Sequence, residues 1–174
     1  MSKVLLKKRL SSMQKAEIIG LVAELYEAKK EAKEYLDYWM NPDEDAKLEE
    51  YMKIVRYEFY PPGNREPKTR FSVCKKAISD YKKLKPSAGA MAELMLCLVE
   101  NACRFTADYG DMWDAYYESL TSNFAVLLKH VDKAGLFEEY RSRLEKCAVL
   151  VEDCGWGVGD EMWDMFYEID AKYD

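Results

Sequence analysis

Lys75, Lys76, Lys82 and Lys83 recur as two pairs seven residues apart within REPKTRFSVCKKAISDYKKLK, residues 65–85, and Ser72 and Ser79 keep the same register. At 3.6 residues per turn this repeat lines ammonium and hydroxyl groups along one side of a helix. Arg65, Lys68 and Arg70 come just before it or within its first turn. Cations there oppose the helix dipole, where free backbone N–H groups already favour an anion. A bound anion would relieve that conflict. The chemistry on offer is electrostatic capture of a phosphate-bearing molecule or an acidic protein surface. The plainer reading is a solvated helix face, partly matched by acidic neighbours in the same fold.

Charge along the chain sharpens the contrast. The formal net charge is -6, yet residues 56–85 carry nine basic and three acidic side chains, and residues 86–174 carry seven basic against eighteen acidic. The first fifteen residues hold five basic and no acidic ones. Such polarity allows copies of the chain to meet head-to-tail or across a two-fold axis, so a homo-oligomer is the second reading. Nucleic acid is a third kind of partner. It is disfavoured by overall acidity and by the lack of a recognisable helix-turn-helix or base-stacking platform.

Other groups that bear chemistry are dispersed. His130 is the single histidine, so a catalytic triad or multi-histidine metal site lacks its parts, and a structural role is expected. Asp160, Asp164 and Glu168 fall at i, i+4 and i+8. They form a carboxylate row that would suit Mg²⁺ or Ca²⁺ in a metal-dependent enzyme, although an exposed acidic face has the same spacing. Cys74, Cys97, Cys103, Cys147 and Cys154 are odd in number and fit reduced, small apolar positions. Cys147 and Cys154, seven apart, could share one helix face, but no Cys-x-x-Cys pair announces zinc. GWGVGD follows a helix and lacks the Lys-Ser/Thr of a phosphate loop, which makes it a turn. No catalytic motif stands out, no cofactor is expected, and a non-enzymatic interaction role leads.

The elements that must position these residues are helical. Apolar residues recur at three-and-four spacing with no sustained alternation, so the fold class is all-α. One domain over 1–174, or two closely packed halves, should form a bundle of about seven to eight helices, with a short α-α superhelix as the alternative. A short helix is expected over residues 3–10, favoured to pack onto the bundle over binding a membrane surface. A long one follows from Ser11 or Ser12 to Met40, with Val22, Leu25 and Trp39 on its apolar face. Asn41 and Pro42 should open a third, with Leu48, Met52, Val55 and Phe59 as its stripe. Three prolines and a glycine make 60–67 a loop. The basic helix then spans 69–84 with Cys74, Ala77, Ile78, Tyr81 and Leu84 inward. Ser87 should cap a central helix to Asp108, Asp111 a sixth ending at Gly135, and Asp160 the last, after a seventh over 136–153. Trp113, Tyr116, Tyr117, Trp163, Phe166 and Tyr167 are expected in the core, and Trp156 as a plug at the end of it.

The N-terminal MSKVLLKKRL has charge on both sides of a three-residue apolar run and lacks the apolar core of a secretory signal. The apolar stretch 88–99 is interrupted by Glu93 and is too short to span a bilayer. Together with the cysteine usage, these features point to a cytoplasmic protein. PKTRFSVCKKAISDYKKL, LMLCLVENACRFTADYGD and the late GWG resemble the uncharacterised bacterial family catalogued as domain of unknown function 6155. The resemblance runs from LLKKRL to the last helix. It implies a small helical bacterial protein, with no family catalytic or ligand residues to transfer.

Overall fold

A computed structural model describes residues 2–173. Among the described residues there are nine helices and no strand: α1 (Lys3–Ser11), α2 (Lys15–Ala28), α3 (Lys30–Met40), α4 (Glu44–Phe59), α5 (Phe71–Lys83), α6 (Ala88–Tyr109), α7 (Asp114–Ala134), α8 (Phe137–Leu150) and α9 (Val158–Asp170). The ninth arises because the long helix expected to Met40 breaks at Lys29, whose φ of −132° and ψ of 115° are extended. Lys29 is flanked by good helix formers, so propensity does not announce the break. Ser11 and Ser12 do not cap α2 either. Their hydroxyls donate back to the Lys7 and Arg9 carbonyls and close α1. At the start of α2, Glu17 instead accepts from the Gln14 backbone N–H at 2.6 Å.

The chain divides into two compact units, on either side of the boundary between Asp43 and Glu44. In the first, α1, α2 and α3 bury no residue. Val22, Leu25 and Trp39 share the expected apolar register but stay exposed. Within this unit the Tyr26 hydroxyl donates to Asp37 at 2.8 Å, tying α2 to α3, and Lys33 lies over the Tyr26 ring.

The second unit holds the core. Its centre is α6, where Ala92, Leu94, Leu96, Leu98, Val99 and Ala102 are fully buried around most of the circumference. A helix apolar all round has to be enclosed by others, and α4, α5, α7 and α8 all pack on it. Its narrow polar strip is matched. Arg143 of α8 reaches both Glu93 and Glu100 at 2.8 Å. Ser87 caps α6 as expected, its Oγ accepting from the Ala90 N–H, while Glu44 accepts from both the Ser87 N–H and hydroxyl. His130 Nε2 donates to the Ala88 carbonyl at 2.9 Å. Val55 and Phe59 anchor α4 in the core, joined by Tyr51, with Leu48 and Met52 half-buried.

Three expected caps and several expected burials are corrected. Helix α4 begins at Glu44, after Pro42. Asp111 does not cap α7; Trp113 holds that position, and the Asp111 carboxylate accepts from the Tyr117 hydroxyl at 2.7 Å and the Gly155 N–H at 2.9 Å. Asp160 lies in the first turn of α9, behind Gly157. Tyr116, Tyr117 and Phe166 are buried and Trp163 is half-buried, but Trp113 and Tyr167 are exposed. Trp156 is 69% exposed and plugs nothing. Helix α8 ends at Leu150, so Cys154 lies beyond it and shares no helix face with Cys147. All five cysteines are free. Among the described residues no helix is long and apolar enough to cross a membrane.

Candidate functional site

The basic segment is delivered by residues 60–70, and a carboxylate on the buried side of α4 fixes where it goes. Tyr51, Val55, Glu58 and Phe59 fall at i, i+4, i+7 and i+8, so Glu58 is carried to the face that meets the core. Its backbone carbonyl accepts from the Lys68 and Thr69 N–H groups at 2.9 and 2.8 Å. Its carboxylate accepts from Arg70 three times: from the backbone N–H at 3.1 Å, Nε at 2.9 Å and an Nη at 2.7 Å. That guanidinium holds the Glu58 carboxyl below its ordinary value. Glu58 is thus the anchor that sets the entry into α5. The sequence reading missed it, although a charged residue in an otherwise apolar register was the available signal.

Helix α5 then lies with Phe71, Cys74, Ala77 and Tyr81 buried and Ile78 half-buried. Leu84, just past its end, is buried as well. Tyr81 packs on Tyr51 of α4 with ring centroids 5.1 Å apart, and Phe71 meets both Phe59 and Tyr116 edge-on. Burying Phe71 and Leu84 contributes roughly 1.5–3 kcal/mol each. An exposed ion pair contributes at most about 1 kcal/mol, so the apolar side holds the helix in place and the basic side is free to serve another purpose.

That basic side is outward. Ser72, Lys75, Lys76, Ser79, Lys82 and Lys83 are all exposed, in the register that the seven-residue repeat predicts. Their surroundings differ. Lys76 and Lys83 both reach the carboxylate of Asp80, the latter at 2.6 Å, and together hold Asp80 below its ordinary value. Arg70 is committed to Glu58 and marks the N-terminal boundary of α5. Arg65 and Lys68 are exposed in the preceding loop. Lys75 and Lys82, two turns apart, make no ion pair among the described residues. Of the nine candidate residues, Arg70 forms an internal clamp, Lys76 and Lys83 share Asp80, Lys75 and Lys82 are exposed ammonium groups without an ion pair among the described residues, Ser72 and Ser79 are exposed hydroxyls beside them, and Arg65 and Lys68 lie exposed in the loop.

The other candidate chemistry is not assembled. Asp160, Asp164 and Glu168 lie exposed along α9, and among the described residues no three His, Cys, Asp or Glu side chains gather as metal donors. Cys103 is fully buried next to Cys147, which drives its thiol upward through desolvation.

A family model described as a family of unknown function matches residues 1–168. The chain belongs to this family, domain of unknown function 6155. No curated protein and no solved structure matches it.

Proposed function

We propose that this member of the family is a non-enzymatic helical interaction protein, and that the outer side of α5 docks an anionic partner, either an acidic protein surface or a phosphate-bearing molecule. The supporting observation is the placement of Lys75 and Lys82: exposed, about 10.5 Å apart along one helix at 1.5 Å per residue, and unpaired among the described residues. Because the opposite side of α5 is seated in the core, these charges are held in register before any partner arrives. The helix backbone needs no further ordering, and immobilising each lysine side chain costs a partner roughly 0.5–1.5 kcal/mol. Lys76, Lys83 and Asp80 form the flank of the same surface, and Ser72 and Ser79 add hydroxyl donors between the cations.

Calorimetric titration with inorganic polyphosphate and with poly-glutamate, at low and high salt, tests this reading. Binding should weaken as salt rises, since contacts at a solvent-exposed rim are screened. Lys75→Glu plus Lys82→Glu should reduce affinity on the order of tenfold or more with an unchanged melting temperature. Equal affinity in the variant and the parent chain would refute the role of α5.

A further inference from the structure

On the second unit, α7, α9 and the turn before α9 enclose an open hollow of about 340 Å³. Its lining is mixed, with Val158 and Thr121 buried, Ala125 and Met165 half-buried, and Ser122 exposed. Its rim carries Asp114 and Glu118 from α7 and Glu161 from α9, all exposed and with no ion pair among the described residues. Trp156 forms one wall and projects into solvent. Trp156 has a φ of +64°, unusual for a residue other than glycine. The residues around it are fixed on both sides. Gly155 donates to Asp111 so closely that a Cβ there would stand 2.7 Å from the carboxylate, and a Cβ on Gly159 would stand 2.7 Å from the Glu152 carbonyl.

Apolar side chains at the bottom, hydroxyl groups beside them, an aromatic wall and a carboxylate rim together suit an ammonium group on a hydrocarbon stem, which is a lysine side chain. The carboxylates continue along α9, where Glu161, Asp164 and Glu168 fall at i, i+3 and i+7 and are all exposed. Glu161 and Glu168 are therefore separated by the same two helical turns as Lys75 and Lys82 on α5. The Lys75–Lys82 pair of α5 and the Glu161–Glu168 pair of α9 are opposite in charge and equal in spacing.

We propose that the hollow and the outer side of α9 receive the α5 ridge of a second copy, one lysine entering beside Trp156 and the other meeting Glu168. This rests on the reading of α5 as a docking surface and names its partner. The contact joins two different surfaces, so each copy keeps one of each free and the association can continue head-to-tail.

Sedimentation velocity on three full-length chains tests it. The parent chain should sediment faster at low salt than at high salt. Glu118→Lys plus Glu161→Lys, with an intact ridge, and Lys75→Gln plus Lys82→Gln, with an intact hollow, should each be monomeric alone. Mixed in equal amounts they should form a dimer that grows no further, because only one complementary pair of surfaces remains. Trp156→Ala, which alters no charge, should weaken self-association of the parent chain on the order of tenfold with an unchanged melting temperature. A parent chain that is monomeric at low salt and about 100 µM, or a mixture that stays monomeric, would overturn the inference. Polyphosphate titration of the Glu118→Lys plus Glu161→Lys chain separates the two ideas. Retained binding there keeps the α5 reading even where self-association fails, and a parent chain that stays monomeric and binds neither polyphosphate nor poly-glutamate removes both.

Discussion

Gly159→Ala offers a sharp test of how the turn before α9 is built. Gly159 is the second residue of α9 and is buried. A Cβ at this position would lie 2.7 Å from the Glu152 carbonyl oxygen, 2.8 Å from the Glu152 Cα and 2.9 Å from the Val151 carbonyl oxygen. All three are backbone atoms just past the end of α8, so no side-chain tip can swing aside, and the turn must retreat by several tenths of an ångström. Overpacking of this kind costs about 1–3 kcal/mol, and backbone neighbours place it near the upper end. Replacing glycine by alanine in a helix returns roughly 0.5–1 kcal/mol. The net expectation is a loss of about 2 kcal/mol, or roughly 5–10 °C in melting temperature for a unit of this size. Gly89→Ala is the control. It sits in the first turn of α6, and the nearest atom to an added Cβ is the Tyr140 hydroxyl at 4.0 Å, so only the helical gain applies. Urea unfolding of both variants, followed by circular dichroism, compares them directly. A Gly159→Ala chain as stable as the Gly89→Ala chain would refute the packing assigned to this turn.

Two further outcomes follow from ionisation and burial. Arg70 holds Glu58 below its ordinary value of 4.5, so the stabilisation from this pair is complete above that value and is lost as pH falls through the depressed one. Glu58→Gln should therefore lower the urea midpoint at neutral pH and flatten its decline below pH 4.5, and an acid decline unchanged from the parent would contradict the clamp. Burial pushes the Cys74 thiol up to about 12 and the Cys97 thiol up to about 11, and Cys103 and Cys147 are also buried. A thiol reagent at pH 8 should find Cys154 ahead of the other four, with all five reacting in denaturant. Rapid reaction of several thiols in the native chain would show that the α4–α6 core opens.

The local patterns in this chain were enough to specify the helical class, the loop at 60–67, the cap at Ser87 and the two-sided character of α5. Each follows from periodicity or from a residue whose backbone preference is strong. In α5, the seven-residue repeat of lysine and serine and the stripe through Cys74, Ala77 and Tyr81 have opposite phases, and the structure keeps them apart as expected. The pairing of Lys76 and Lys83 was a local matter, because Asp80 stands four residues after one and three before the other. The commitment of Arg70 was not, because Glu58 is brought to it from another helix. The same holds for the second surface. Trp156 reads as a core residue because tryptophan is highly buried on average, yet it stands exposed at a φ of +64° in a turn whose Gly155 and Gly159 are closely approached by Asp111 and Glu152. Sequence fixes which groups a helix can present. Spacing within a helix shows which of them pair with each other, and contacts between elements decide which of the rest are satisfied and which are left to meet something else.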